Sequence, residues 1–344
     1  MPMSSYQRLT ETVSHREPDR VPVDIGGMTV SSVSSMLLKQ LLEQAGIRED
    51  FSSPDPIQRI GTPPDSFKER FGIDTARVGP KRITEPAGLK PWEQPESRVA
   101  LEDQWGVSWV MNPGDHYFGQ ASYPLGGGDL AERLDAYQFP SPDRDIISRQ
   151  TASSLDALGE RFPVFDRDCA GFFEMSQRLR GMEDIMTDLY LDRSSVERLA
   201  DLLLEYKLAY WDIMLEHAGD RMIAVAEADD YGTAQSLLIS PNMVREIYLT
   251  RLKVLIDHIR KKAPKALVCF HSCGAIRPII PDFIEVGINM INPVQYHAAG
   301  MELEGLKRDF GSDLVFWGGC VDTTQVLPYG TPQQVSDEVK RVLD

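Results

Sequence analysis

The segment Phe270-His271-Ser272-Cys273-Gly274 places an imidazole and a thiol two residues apart, at the end of an apolar run that starts at Ala266. In extended chain, residues two apart face the same side, so His271 and Cys273 point into one site. A His-x-Cys pair suits Zn²⁺, which takes imidazole nitrogen and thiolate sulfur. Metal bound there would hold a substrate thiol as thiolate near neutral pH, which makes it a strong nucleophile. The plainer reading makes Cys273 a small buried residue and His271 a hydrogen-bonding group. A third ligand would favour the metal. Cys320, in Phe316-Trp317-Gly318-Gly319-Cys320, ends the next apolar run but one, and Glu227 ends an earlier one. Cys169 and Cys269 read as core.

Carboxylates supply a second candidate chemistry. Glu227, Asp229 and Asp230 end one apolar run together. Crowded carboxylates raise one another's pKa, which equips one of them as a general acid or base. At least one of the three is expected to cap a turn or face solvent instead. Asp24 and Asp74 follow or end earlier runs, and Asp166 and Asp168 flank Arg167, where a structural ion pair is the default. Gln295, His297 and Asp322 complete the polar residues at run ends. His15, His116, His217 and His258 fall on helices or loops.

These residues need a scaffold that brings strand ends together. From residue 160 onward short apolar runs alternate with amphipathic stretches. The runs begin at Pro163, Met222, Ala266, Met290 and Leu314, and their apolar, largely β-branched or aromatic character fits strands buried on both faces. The intervening helices have readable ends. Ser194 to Glu197 reads as a capping box, Ser240-Pro241 as an N-cap with a first-turn proline, and Thr331-Pro332 with Gln334 repeats the device. Repeated strand–helix units give parallel strands joined by crossovers. In the first half, Val21 to Gly27 reads as strand one and Phe71 to Pro80 as a second strand. Residues 95 to 125 read as a β-hairpin excursion. A doubly wound sheet is the rival, but no glycine-rich phosphate turn follows the first strand. The expectation is one domain, residues 1–344, folded as a TIM-like (β/α)8 barrel with catalytic groups at the C-terminal strand ends.

The chain has 344 residues with formal net charge −16, 42% hydrophobic and 26% charged. That acidic balance argues against nucleic acid or an anionic membrane surface as partner. No stretch approaches the roughly 18 apolar residues of a membrane span, and the polar N-terminal segment carries no targeting signal. Four cysteines are too few for a disulfide scaffold of this size, and the cytoplasm is the expected compartment.

Several segments together resemble the uroporphyrinogen decarboxylase superfamily: REPDRVPV from Arg16, FGID from Phe71, GFFE from Gly171, EADDYGTAQSLLISP from Glu227, FHSCGAIRPIIPDFIEVGINMINPVQ from Phe270 and FWGGCVDTTQVLPYGTPQQV from Phe316. The resemblance runs from about Arg16 to Leu343 and is most specific from Glu227 onward. It implies the same barrel fold. True decarboxylases of the family carry an arginine-bearing loop after strand one that binds the propionates of the tetrapyrrole. Here that segment reads VPVDIGGMTVSS, without arginine, and a tetra-acid without an Arg clamp is physically hard to hold. The nearest counterpart of the catalytic aspartate is Asp74.

Corrinoid-dependent methyltransferases of the methylcobamide:coenzyme M type match at His271 and Cys273, and there the resemblance implies zinc. Their remaining cysteine ligand lies on the last barrel strand. A closed eight-stranded barrel would need roughly 25 to 40 further residues, so the last strand–helix unit is expected to be missing from this chain, and Cys320 is offered as the substitute ligand. The expected activity is zinc-assisted methyl transfer. Its substrate is a small-molecule methyl donor or acceptor, its corrinoid is carried by a separate protein, and Glu227, Asp229 and Asp230 handle protons. Two alternatives stand beside it: a decarboxylase acting on a tetrapyrrole or other carboxylic acid, with Asp74 stabilising charge, and a non-catalytic corrinoid- or tetrapyrrole-binding protein. The resemblance also allows a homodimer.

Overall fold

The computed structural model describes residues 2–81, 89–219 and 223–343. Six strands form one parallel sheet: β1 (Thr75–Val78), β2 (Phe162–Asp166), β3 (Ala224–Ala228), β4 (Leu267–His271), β5 (Met290–Asn292) and β6 (Val315–Phe316). They lie side by side in chain order with helices between them. That is the order in which a (β/α) barrel lays down its wall. The five runs read from residue 160 onward all contain a strand, although Met222 lies outside the described residues. Residues 95 to 125 contain an antiparallel sheet of Val99–Glu102, Ser108–Met111 and Gly119–Gln120. No helix among the described residues is long and apolar enough to cross a membrane.

Alternation along the strands sorts side chains onto two faces. Phe162, Val164, Ala224, Ala226, Cys269 and Met290 pack together on the interior face. Val78, Phe165, Val225, Val268, Phe270 and Ile291 join the larger core beneath the helices. The interior cluster also takes in Leu9 and Val13 of α1 (Ser5–Val13), so this helix closes the N-terminal mouth of the wall.

An ionic clamp holds that helix in place. Asp74, fully buried immediately before β1, accepts from Arg8 Nη1 (2.5 Å), Arg20 Nη1 (2.7 Å), Ser5 Oγ (2.8 Å) and the Val23 amide (2.9 Å). Arg8 is held in turn by Asp19.

The wall is not closed by strand pairing. The segment from Val21 to Gly27, expected as strand one, forms no ladder; toward β1 its backbone contact is the Asp74 amide donating to the Val23 carbonyl (2.8 Å). Its role passes to one side chain. Asp24 accepts from Thr75 Oγ1 at the start of β1 (2.5 Å) and from the Trp317 indole just beyond β6 (2.7 Å). Withdrawal from water raises the Asp24 pKa, against the pull of these donors.

Two helices matter to the site. α2 (Phe172–Arg180) follows β2, and α3 (Arg193–Leu215) lies across the outer face. The cap of α3 is Asp192, whose side chain accepts from the Ser195 amide, rather than the expected Ser194. An aspartate accepts there as well as a serine, and the helix starts earlier. Ser240 caps as expected, accepting from the Met243 amide (3.2 Å). Thr331 and Gln334 form their reciprocal pair.

Candidate active site

The chemistry-bearing residues gather where β3 and β4 end. Ala228 is paired with His271 in register, and the Asp229 amide donates to the His271 carbonyl at 2.9 Å. Beyond the strands the two loops touch backbone to backbone. A Cβ on Gly232 would sit 2.6 Å from the Cys273 carbonyl oxygen, and one on Gly274 would run into the backbone of Gly232 and Thr233. Gly274 also has φ +84°, a conformation that glycine adopts without penalty. This close approach presses Asp230 against Cys273: the Cys273 amide donates to Asp230 Oδ1 at 2.9 Å.

Three donor atoms of different chemistry therefore converge. His271 Nε2 lies 3.5 Å from Cys273 Sγ and 3.7 Å from Asp230 Oδ1. One ligand atom from each of Asp230, His271 and Cys273 falls within 4.8 Å of the others. Burial, with the Asp230 charge adding to it, pushes the Cys273 thiol up to about 12. Burial also lowers the His271 pKa, against the Asp230 charge. Without a cation the pair is thus a thiol and a neutral imidazole.

β5 fixes the imidazole. Asn292 is paired with His271 in register, and its Oδ1 lies 2.6 Å from His271 Nδ1. The Asn292 amide donates its Nδ2 to the Trp317 carbonyl (2.8 Å), so its oxygen is the end turned to the ring. An oxygen acceptor requires a proton on Nδ1, which leaves the Nε2 lone pair aimed at Cys273 and Asp230. Gln295 Oε1 accepts from the Gly274 amide at 2.7 Å and braces the same turn.

The carboxylates read from the sequence part company here. Only Asp230 joins the histidine and cysteine. Glu227 faces the helices, where its two oxygens accept from Lys207 Nζ (2.8 Å) and the Trp211 indole (2.7 Å) of α3. It is neither a proton-handling group of this site nor a third ligand, because strand alternation turns it away from the interior.

Asp229 is fully buried and caps α2, accepting from the amides of Phe173 and Glu174 (both 2.8 Å) and from the Tyr231 hydroxyl (2.9 Å). Burial raises its pKa to about 7 against these donors. Asp74 is a correction too: it precedes β1, so it sits at the N-terminal end of the wall, where such residues serve stability. Cys320 is exposed and stands outside the Asp230–His271–Cys273 group.

Gln295 was among the polar residues read at run ends, but sequence reasoning missed Asn292, which lies in the same run, MINPVQ, read there only as a strand. Glu174, on the first turn of α2, was also missed; its charge bears on both His271 and Cys273.

The uroporphyrinogen decarboxylase (URO-D) family model matches residues 146–344, which contain every member of this group. Among solved structures, a methyltransferase from Methanosarcina mazei superimposes with a TM-score of 0.65 at 16% identity, covering 99% of this chain and 90% of that one. At that identity the likeness shows the fold alone. No curated protein matches the sequence.

Proposed function

Since the chain belongs to the uroporphyrinogen decarboxylase family, we propose that it is a zinc-assisted, corrinoid-linked methyltransferase of that family. The observation that carries this reading is the Asp230–His271–Cys273 group, with the ring nitrogen of His271 already oriented by Asn292. Oxygen, nitrogen and sulfur donors on three residues suit Zn²⁺ and leave a fourth position for substrate. The Asn292 contact is the outer hydrogen bond that a metal-bound histidine usually makes.

A zinc ion held by these residues would keep a bound thiol ionised near neutral pH. The chain's own contributions can be stated one by one. Asn292 holds the imidazole in a single tautomer. Asp230 receives the Cys273 amide and so fixes the turn that carries the thiol. The Cys273 proton, retained in the metal-free chain, leaves when the sulfur becomes a ligand. In the transfer itself the acceptor sulfur bonds the methyl carbon as the carbon–cobalt bond breaks, and the electron pair stays with cobalt. The corrinoid enters as substrate, on a separate carrier protein in this proposal.

Elemental analysis of protein purified without chelator tests the reading. About one zinc per chain is expected. It should be lost in Asp230→Ala and Cys273→Ala and kept in Cys320→Ala. Loss in Cys320→Ala would restore Cys320 as a ligand. Zinc-free wild-type protein would sink the proposal and favour a metal-free decarboxylase or a tetrapyrrole binder instead.

A further inference from the structure

The turn that joins Val99–Glu102 to Ser108–Met111 is folded by one aspartate. Asp103 Oδ1 accepts from the amides of Trp105 (2.9 Å) and Val107 (3.1 Å), and its Oδ2 accepts from the Trp109 indole (2.8 Å). So folded, the turn presents Trp105 to the body of the protein. That ring is 4% exposed and lies against Tyr206 of α3, with ring centroids 4.6 Å apart. The excursion does not seal completely onto the helices beneath it. A cavity of about 760 Å³, its open mouth included, remains between this turn, the helix Arg144–Asp156, α2 and α3. That size falls in the range of ligand pockets, roughly 300–1,000 Å³.

The walls decide what the cavity can hold. Ile57, Trp105, Val107, Ile147, Met175 and Tyr206 line it, none of them more than 7% exposed. The charged groups around them are already engaged. Asp103 is spent on its own turn. Asp143 caps its helix by accepting from the Ile146 amide (2.9 Å), Asp168 accepts from the Tyr206 hydroxyl (2.6 Å), and Arg178 pairs with Glu174 (2.6 Å). Lys81, the remaining charge of the lining, is exposed to water. A charged guest would lose hydration without gaining a partner inside, which is costly. An apolar void instead favours an apolar guest over water. Two aromatic walls and the Met175 thioether favour a ring, through offset, edge and sulfur contacts.

We propose that this cavity is a second binding site of the protein, and that it takes one neutral aromatic ring. No member of the Asp230–His271–Cys273 group lines it. The inference therefore goes beyond the proposed methyl transfer and does not rest on it.

Benzyl alcohol is the probe, and cyclohexylmethanol is its saturated counterpart; both are neutral. In protein carrying methyl-labelled methionine, the Met175 signal is assigned by its loss in Met175→Leu. Benzyl alcohol should move that signal saturably and bind more tightly than cyclohexylmethanol. Its affinity, read by calorimetry, should fall at least about tenfold in Ile57→Phe and Ile146→Trp, which add bulk at a buried and a half-buried position of the lining. It should be unchanged in Val254→Trp, at a position 50% exposed on the surface. If one filled variant does not fold, the other and the Met175 signal of wild type decide. A Met175 signal that stays still, equal affinity for the two alcohols, or filled variants that bind as wild type would overturn the proposal. So would binding that vanishes on treatment with chelator, because the ring would then sit at the metal group. Zinc-free wild type that binds the ring sinks the metal reading and leaves this one standing.

Discussion

Replacing Asp74 with asparagine separates a structural role from a chemical one. The substitution keeps the shape and removes one negative charge from beneath two guanidiniums. Breaking a buried pair by neutralising one partner costs about 3–5 kcal/mol. Here the low end applies: the Arg20 side chain is 41% exposed and can turn to water, and Arg8 keeps Asp19. The estimate is thus about 3 kcal/mol. At about 2.1 cal/mol/K per residue, 344 residues give an unfolding entropy near 0.7 kcal/mol/K, so Tm should fall by about 4 °C.

The pH dependence carries a sign. Burial alone would raise the Asp74 pKa, but Arg20, the Val23 amide and Ser5 outweigh it and leave it lowered. A lowered folded-state pKa gives stability that is present above the unfolded value, near 3.9, and lost as pH falls through the folded one. The Tm gap between wild type and Asp74→Asn should therefore be full at pH 6–8 and narrow below about pH 4. Scanning calorimetry across that range, with zinc measured at pH 7, is the assay. A Tm within about 1 °C of wild type, or zinc lost along with unchanged stability, would refute the placement of Asp74 as a clamp remote from the site.

Three further outcomes follow from the same geometry. Asn292→Ala should weaken zinc binding about 10–100-fold, read by competition with a chromophoric chelator; unchanged affinity would reduce Asn292 to a packing residue. Because the Cys273 thiol titrates near 12 and His271 is held neutral, zinc uptake at pH 7.5 should release about one proton per Cys273 ligand. Calorimetry in buffers of different ionisation enthalpy counts that proton, and a count near zero would mean Cys273 is not a ligand. Glu227→Gln leaves Lys207 charged and buried, so a loss of about 3–5 kcal/mol is expected in denaturant titration; a loss below about 1 kcal/mol would contradict the buried pair.

The strands from residue 160 onward were legible because each is a short apolar run bounded by turn residues. Strand one was not: Val21 to Gly27 has the composition of a strand, but whether a neighbour pairs with it is decided by residues far along the chain. The histidine and cysteine were legible from their two-residue spacing. Their companion was only half legible. Glu227, Asp229 and Asp230 look equivalent in sequence, and which one meets Cys273 depends on β3 ending at Ala228 and on the glycine contact that follows. Asp74 shows the opposite fault. It lay inside the stretch from Phe71 to Pro80 read as a strand, and only the observed start of that strand at Thr75 places it at the far end from the chemistry.

The Asp24–Trp317 bond joins residues 293 positions apart. At about 5–20 residues per second of synthesis, Asp24 waits roughly 15 to 60 s for its partner to be made. Through that interval the interior cluster of β2 and β3, with Met28 beside it, has formed only part of its wall and keeps apolar surface open to solvent. The newborn chain is therefore exposed to aggregation for most of its synthesis, and its yield in a cell should depend on translation rate and on chaperones that shield the half-built wall.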